Sequence, residues 1–256
     1  MLDYAAFPQQ RQALICQILQ ENGRVVCAEL AAWLQVSEHT IRRDLHELSR
    51  EGFCKKVYGG AVLSLPEAGD YSERKDKNRA TKLRIAQQCA RLVKPGGTIF
   101  VDTGTTNLAM AEALPAELAL TVVTNSPEIA AVLVKKPLYD VVILGGQVQR
   151  ASGGCVGAAA VAQVQGMLFE QGFIGGCAMA PESGLTGFDY ADCEFKKAVI
   201  KQCSEIIVGL TSDKIPAVAR FVVAASSDID VLVVEENISR EYRVAFQQHD
   251  IRIHTV

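Results

Sequence analysis

The sequence predicts an α/β protein in two parts: a helical module closed by a small hairpin, then a larger, mostly parallel α/β domain. Three observations predict it. Apolar residues repeat at helical spacing through residues 14–48 and then give way to a short two-stranded pattern. From residue 79 onward, apolar runs of strand length alternate with helical stretches. Small polar loops rich in Gly, Thr and Ser follow several of those strands.

The first helix covers 8–22, with Pro8 near its first turn, Leu14, Ile15, Ile18 and Leu19 as its stripe, and Asn22-Gly23 as its stop. A second, over 28–34, carries the i,i+4 pair Leu30 and Leu34, with Trp33 assigned to packing between the helices. Gln35-Val36 breaks it, and Ser37 caps a third helix on which Ile41, Leu45 and Leu48 recur at i, i+4 and i+7. At about 100° per residue those three face the protein, leaving His39, Arg43 and His46 opposite, with Arg42 beside them. Gly52 ends this helix, 53–58 reads as a strand, Gly59-Gly60 as the turn and 61–63 as the return strand.

Three helices and a hairpin make a winged helix-turn-helix at 8–63, with the helix-turn-helix itself at 25–44. Its free helix face suits the major groove of double-stranded DNA. Arg42 and Arg43 are placed to contact guanine or phosphate, unless one of them is drawn into a salt bridge with Asp44, Glu47 or another helix. Ser37, Thr40, His39 and His46 lie on the same approach, and Lys55, Lys56 and Tyr58 on the wing face phosphates or the adjacent minor groove.

Residues 64–78 contain Pro66, Gly69 and the charge run Glu73-Arg-Lys-Asp-Lys77, the composition of a solvated linker. Helices over 79–93, 105–114, 127–134, 157–167 and 190–203 then alternate with strands at 98–102, 120–124, 140–144, 170–175 and 205–210. Strands at 230–234 and 251–253 complete a domain spanning 79–256. Such alternation implies a mostly parallel sheet covered on both faces.

Composition narrows the function. No apolar run of the 256 residues approaches the ~18 a membrane helix needs, and the N-terminus lacks a secretory pattern, so no membrane role is expected. The 8 cysteines include no CxxC and no Cys/His cluster, which argues against a metal site or a disulfide framework and for reduced thiols in the cytoplasm. No cofactor is indicated. Net charge is −3, and residues 1–63 balance seven Lys/Arg against seven Asp/Glu. DNA affinity must therefore come from local positive faces and from paired copies, so a homo-oligomer, dimer or tetramer, is expected.

In open parallel sheets, ligands sit at the carboxyl ends of strands. Asp102-Thr-Gly-Thr-Thr-Asn107 runs from a strand straight into a helix, where Gly104 lets the backbone approach a ligand. The Thr105 and Thr106 hydroxyls and the helix N–H groups favour a phosphate there. Asn125-Ser126 and Gly145-Gly146 occupy the next two strand ends, and together the three loops suit a polar, phosphorylated ligand. Asp192 and Lys196, four apart on a helix, offer an ammonium for a phosphate and a carboxylate for a hydroxyl. Spacing alone favours an ordinary surface ion pair worth about 0.3–0.5 kcal/mol.

These residues carry a resemblance, over nearly the whole chain, to the DeoR family of transcriptional regulators of sugar metabolism. Ser37-Glu-His-Thr-Ile-Arg-Arg-Asp-Leu45 with the Tyr58-Gly-Gly-Ala61 wing is similar to that family's DNA-binding signature. Asp102-Thr-Gly-Thr-Thr106, Thr124-Asn-Ser126 and Gly145-Gly146 are similar to its effector domain. The resemblance implies a C-terminal fold related to ribose-5-phosphate isomerase and the CoA transferases, with no catalytic residues. It further implies an operator as partner, a phosphorylated sugar or similar intermediate that relieves repression, and Lys196 as the effector-pocket lysine. Asp192 replaces the family's usual Glu, Thr211-Ser-Asp-Lys214 its Asp-Ser-Ser-Lys, and Val234-Glu-Glu-Asn237 stands where Thr-Asp is common; these changes bear on ligand identity. Two alternatives remain. One is a sugar-phosphate isomerase or transferase drawing its base from Asp102, Asp192 or Glu194. The other is an architectural DNA binder, for which the polar loops have no use.

Overall fold

The computed structural model describes residues 7–65 and 69–256. The N-terminal module contains α1 (Pro8–Asn22), β1 (Arg24–Val26), α2 (Cys27–Leu34), α3 (Glu38–Arg50), β2 (Cys54–Val57) and β3 (Gly60–Leu63). Gly23, at φ 75°, stops α1, and Gln35, at φ 53°, makes the break between α2 and α3. The Ser37 hydroxyl accepts the Thr40 N–H at 3.1 Å, the N-cap its sequence position calls for. Ile15, Leu19, Leu30, Leu34, Ile41, Leu45 and Leu48 form one apolar core.

Two expectations are corrected here. The wing sheet has three strands, in the order β1-β3-β2, because Arg24–Val26 pairs antiparallel with β3. A three-residue strand is too short to show a period of two, and Gly60 admits it by leaving room where a Cβ would lie 1.9 Å from the Val25 carbonyl oxygen. Trp33 is not in the core but 61% exposed. It lies roughly 110° around α2 from the centre of the stripe made by Cys27, Leu30, Ala31 and Leu34.

The C-terminal part begins with α4 (Tyr71–Asp76), α5 (Arg79–Arg91), β4 (Thr98–Val101), α6 (Thr105–Ala113), β5 (Leu120–Thr124), α7 (Pro127–Leu133) and β6 (Tyr139–Ile143). Next come β7 (Gln147–Val148), β8 (Cys155–Val156), α8 (Ala158–Val164), β9 (Gln171–Ile174), β10 (Ala178–Ala180), β11 (Gly184–Gly187) and α9 (Tyr190–Ile200). The chain closes with β12 (Ile206–Gly209), β13 (Phe221–Ala224), β14 (Val231–Val234), α10 (Arg240–Gln247) and β15 (Arg252–Thr255).

Seven strands, in the order β15-β14-β12-β9-β4-β5-β6, form one sheet, parallel throughout. Alternate residues serve opposite faces, as the pleat requires. Ile99 and Val101 pack with α5, α6 and α7 on one face. Phe100 packs with α8 and α9 on the other. A second sheet, β10-β11-β13, is antiparallel and joins the α9 side through Met179, Leu185 and Val223. β10 and β11, made largely of Ala and Gly, escaped the sequence reading for want of a branched or aromatic run, and β13, Phe-Val-Val-Ala, was missed as well.

Within 64–78 the described residues are mostly exposed, and they carry ordered structure. Val218 donates its N–H to the Leu63 carbonyl and accepts that of Leu65, both at 3.0 Å, so the wing strand continues onto the second domain. α4 follows, with Lys75 paired to Glu128 and the Lys82 ammonium donating to the Arg74 carbonyl. Elsewhere Arg24 pairs with Glu241 and lies over the Tyr242 ring, whose hydroxyl donates to the Asn22 carbonyl at 3.4 Å.

Charge pairs also tie elements together within each part. Arg11 and Asp44, both almost fully buried, join α1 to α3 through two hydrogen bonds, the longer 3.0 Å. Removing one member of such a pair costs about 3–5 kcal/mol. We therefore expect Asp44→Ala to lower the unfolding free energy of the N-terminal module, read from urea denaturation, by that amount, and a free energy unchanged within about 0.5 kcal/mol, roughly the scatter for surface sites, would refute it. Burial alone would raise the Glu205 carboxyl, but Lys94, Arg252 and Gln171 donate to it and hold it at about 2. Its contribution is present above the ordinary value of 4.5 and is lost as pH falls toward about 2. Glu205→Gln should accordingly destabilise the protein at pH 7 and flatten the acid limb of its stability profile.

Candidate functional site

The first candidate surface is the free face of α3. Ile41, Leu45 and Leu48 are buried, and His39, Arg42, Arg43 and His46 are exposed on the other side. Arg42 reaches Glu38 at 2.7 Å and Arg43 reaches Glu47 at 3.5 Å, with the two arginine side chains 64% and 72% exposed. Pairs of that kind contribute about 0.3–0.5 kcal/mol and exchange readily for a stronger acceptor. Asp44, an expected rival for the arginines, is taken instead by Arg11 beneath the helix. Ser37 and Thr40 share a hydroxyl contact of 2.9 Å at the helix start. On the wing, Lys55, Lys56 and Tyr58 are all exposed, Tyr58 fully so at the turn.

The second is a cavity of about 260 Å³ at the carboxyl rim of the parallel sheet. Sheet order explains its place. The chain builds outward from β4 through β5 to β6, then returns to lay β9 on the opposite side of β4. Strands β4 and β9 thus flank the point where the winding reverses, and there the connections leave in opposite directions and open a crevice. Thr103, Gly104, Thr105, Thr106 and Asn107 line it from the β4 side, and Gly175, Gly176 and Cys177 from the β9 side. Gly104, at φ 146°, turns the strand end into the N-terminus of α6. From α9 come Asp189, Asp192 and Lys196, and beyond β12 Lys214.

Asp102 is fully buried just beneath the lining. It accepts the Gly175 N–H at 2.8 Å and lies 3.4 Å from the Lys196 ammonium, which donates to Asp192 at 2.7 Å. The spacing of Asp192 and Lys196 therefore describes a buried three-member cluster, not a surface ion pair. Burial alone would discharge Lys196, but the two carboxylates outweigh it and hold the ammonium above its ordinary value. Burial pushes the Asp102 carboxyl up, with Asp192 adding to the push and Lys196 opposing it. One oxygen each of Asp102 and Asp192 has no hydrogen-bond partner among the described residues, nor has the Gln149 amide oxygen. Lys214 donates to the Gly176 carbonyl at 3.1 Å; burial pushes its ammonium down, and the Arg74 and Lys196 charges add to that. Glu194 is turned elsewhere, onto Lys197 at 2.7 Å.

Four expected site residues lie outside this cavity. Asn125 is fully buried and spends its amide on the Thr103 N–H, at 2.9 Å, and the Cys155 carbonyl, at 3.2 Å. Ser126 caps α7 by accepting the Ile129 N–H at 3.3 Å. Gly145 is exposed and bonded to the Gln163 side chain, and Gly146 is exposed beside it. The reason is lateral order: β5 and β6 lie outboard of β4, so their ends sit away from the crevice. Asn125 still shapes the site from behind by fixing the loop that carries Thr103 and Gly104. Lys214, Gln149 and Arg74 line the cavity too; Gln149 was not singled out from the sequence, and Lys214 and Arg74 were read only as parts of the 211–214 motif and the 73–77 charge run. For Arg74 the signal was hidden inside a run of mixed charge.

Residues 77–236 match the DeoR C terminal sensor domain, and residues 11–66 match the DeoR-like helix-turn-helix domain. The chain is similar to the HTH-type transcriptional regulator GolR of Listeria innocua, 31% identical over 94% of this chain and 96% of that one. It is also similar to the glycerol-3-phosphate regulon repressor of Haemophilus influenzae, 32% identical over 87% of each. Among solved structures it is similar to ribose 5-phosphate isomerase A from Methanocaldococcus jannaschii, with a TM-score of 0.40 and 19% identity over 54% of this chain and 55% of that one. With both of its parts matched and regulators similar along almost its whole length, the chain belongs to the DeoR family of helix-turn-helix transcriptional regulators.

Proposed function

We propose that this regulator is a repressor of a carbohydrate-utilisation operon, and that a phosphorylated sugar or related metabolite in the rim cavity sets its operator affinity. One observation carries the reading: the cavity joins cations to unpartnered acceptors. Lys196, Lys214 and the N-terminus of α6 supply positive charge and N–H donors for a phosphate. The free oxygens of Asp192 and Gln149 supply acceptors for sugar hydroxyls. The names of its relatives, one a glycerol-3-phosphate regulon repressor, point the same way. Asp102 and Asp192 both converge on Lys196 and are placed to orient a ligand; for catalysis, neither is left free as a base.

The operator is read by α3 and the wing, with Arg42, Arg43, His39 and His46 toward the groove and Ser37, Thr40, Lys55, Lys56 and Tyr58 toward the backbone. A homo-oligomer, dimer or tetramer, presents two such helices to paired half-sites, which compensates for the neutral net charge of each module. The protein works in the cytoplasm, where the operator is and where its eight free thiols stay reduced. Among the described residues, no helix is long and apolar enough to cross a membrane.

The test is a thermal-shift screen of the full-length protein against phosphorylated sugars and sugar acids. A compound at ~100 times its dissociation constant adds about 2.7 kcal/mol, a readily visible shift. One clear hit that also changes operator affinity is expected, and a flat panel would sink the sugar-phosphate reading. Lys196→Ala should abolish the shift given by that hit while specific operator binding persists. Arg43→Ala should weaken operator binding by about 1–3 kcal/mol, roughly 5- to 150-fold. Unchanged affinity would remove α3 from the interface.

A further inference from the structure

We propose that Arg24 is a positioning residue for operator recognition. It seats the DNA-binding module on the sensor domain in one orientation, and that junction fixes which half-site spacing two reading helices can span. This rests on the oligomeric reading, in which paired copies bind paired half-sites.

β1 is spliced between two helices of the module: α1 ends at Asn22, Arg24–Val26 forms the strand, and α2 starts at Cys27. Val25 shares the apolar core of the module with Ile41 and Leu45, so whatever holds β1 also holds α3. Within the wing sheet Arg24 stands directly opposite Val62. Opposed residues of an antiparallel pair project from the same face. On that face Val62 is fully buried and packs with Ala180 and Val218 of the sensor. Arg24 therefore leaves the wing toward the sensor.

Its head group meets a socket built from two separate elements. The guanidinium pairs with Glu241 on α10 and lies 3.9 Å from Glu182, in the turn between β10 and β11. It sits 5.4 Å from the centre of the Tyr242 ring. Tyr242 donates its hydroxyl to the Asn22 carbonyl at 3.4 Å, and burial pushes that hydroxyl up to about 12, which keeps it a donor. Gly23, between these contacts, lies so close to Pro216 that a Cβ would come within 2.7 Å of it. Three consecutive residues of the module, Asn22 to Arg24, thus each touch the sensor.

Ion pairs as exposed as these add little to stability, so their value here is directional. A planar guanidinium that stacks on one ring and reaches carboxylates on two elements has few other poses. Paired helix-turn-helix modules read half-sites set by the helical repeat of DNA, so the angle at which each module leaves its sensor selects the spacing that fits. A seated module fits one spacing, and a module free to swing fits several. Arg24→Glu would turn a carboxylate toward Glu182 and Glu241 and unseat the module while leaving α3 and the wing lysines unaltered.

The experiment uses full-length protein to select bound duplexes from a random-sequence library, then moves the two half-sites of the selected duplex apart by two base pairs. That step turns one half-site about 70° around the helix axis. The wild type should lose affinity about tenfold or more across it. Arg24→Glu should keep its affinity for a duplex with a single half-site, yet lose less than about threefold across the step. Glu241→Arg, which sets two cations against each other, should behave likewise, and Arg24→Glu combined with Glu241→Arg should restore the preference. A full spacing preference in Arg24→Glu overturns the proposal. So does a fall in its single-half-site affinity that the double variant does not restore, because Arg24 then supports only the fold of the module. A repeated half-site whose spacing the wild type ignores removes this proposal alone. A selected duplex with no second half-site removes the oligomeric reading with it.

Discussion

Seven parallel strands place all their carboxyl ends on one rim, and the reversal of winding between β4 and β9 opens that rim at one place. Other features of the sensor follow from this constraint. Parallel pairing demands helical crossovers, which cover both faces with apolar side chains and leave polar residues only at the strand ends. The crevice then receives the start of α6, the glycines after β9 and the start of α9 together. None of those segments is close to another in sequence.

The buried cluster of Lys196, Asp102 and Asp192 shows how such a site stays stable. An ammonium taken out of water loses several kcal/mol of hydration, and two carboxylates within 3.4 Å offset that loss. Asp102 is fixed in turn by the Gly175 N–H, so the cluster ties the ends of β4 and β9 to α9. One oxygen each of Asp102 and Asp192 is left without a partner among the described residues. Donors and acceptors at the crevice are thus held in place by the fold itself.

On the DNA side, burial decides which charges count. Arg11 withdraws Asp44 from the surface of α3, and Glu38 and Glu47 hold Arg42 and Arg43 only through exposed pairs. A segment that is neutral by composition thereby presents a helix face with positive character. The two functional surfaces are joined by structure at both ends of residues 64–78, through Val218 at the wing and Arg74 at the cavity.

The sequence by itself determined the local elements. The stripe Ile41, Leu45 and Leu48, the cap Ser37 and the breaks at Gly23 and Gln35 are encoded within a few residues, and so are the alternating strands and helices after residue 79. The Asp102–Asn107 turn was legible for the same reason, since strand, glycine and helix start are contiguous. Lateral strand order was not, because pairing partners far apart in sequence leave no local periodicity. That order sent Asn125, Ser126, Gly145 and Gly146 outboard and brought Lys214, beyond β12, in. Trp33 was misplaced because a single aromatic beside an apolar stripe does not reveal on which side of its helix the neighbours will stand. Arg74 was overlooked because a mixed charge run reads as solvated until its packing is known, and only the tertiary structure shows Tyr71 seated on Gly153 and the guanidinium turned to the cavity wall.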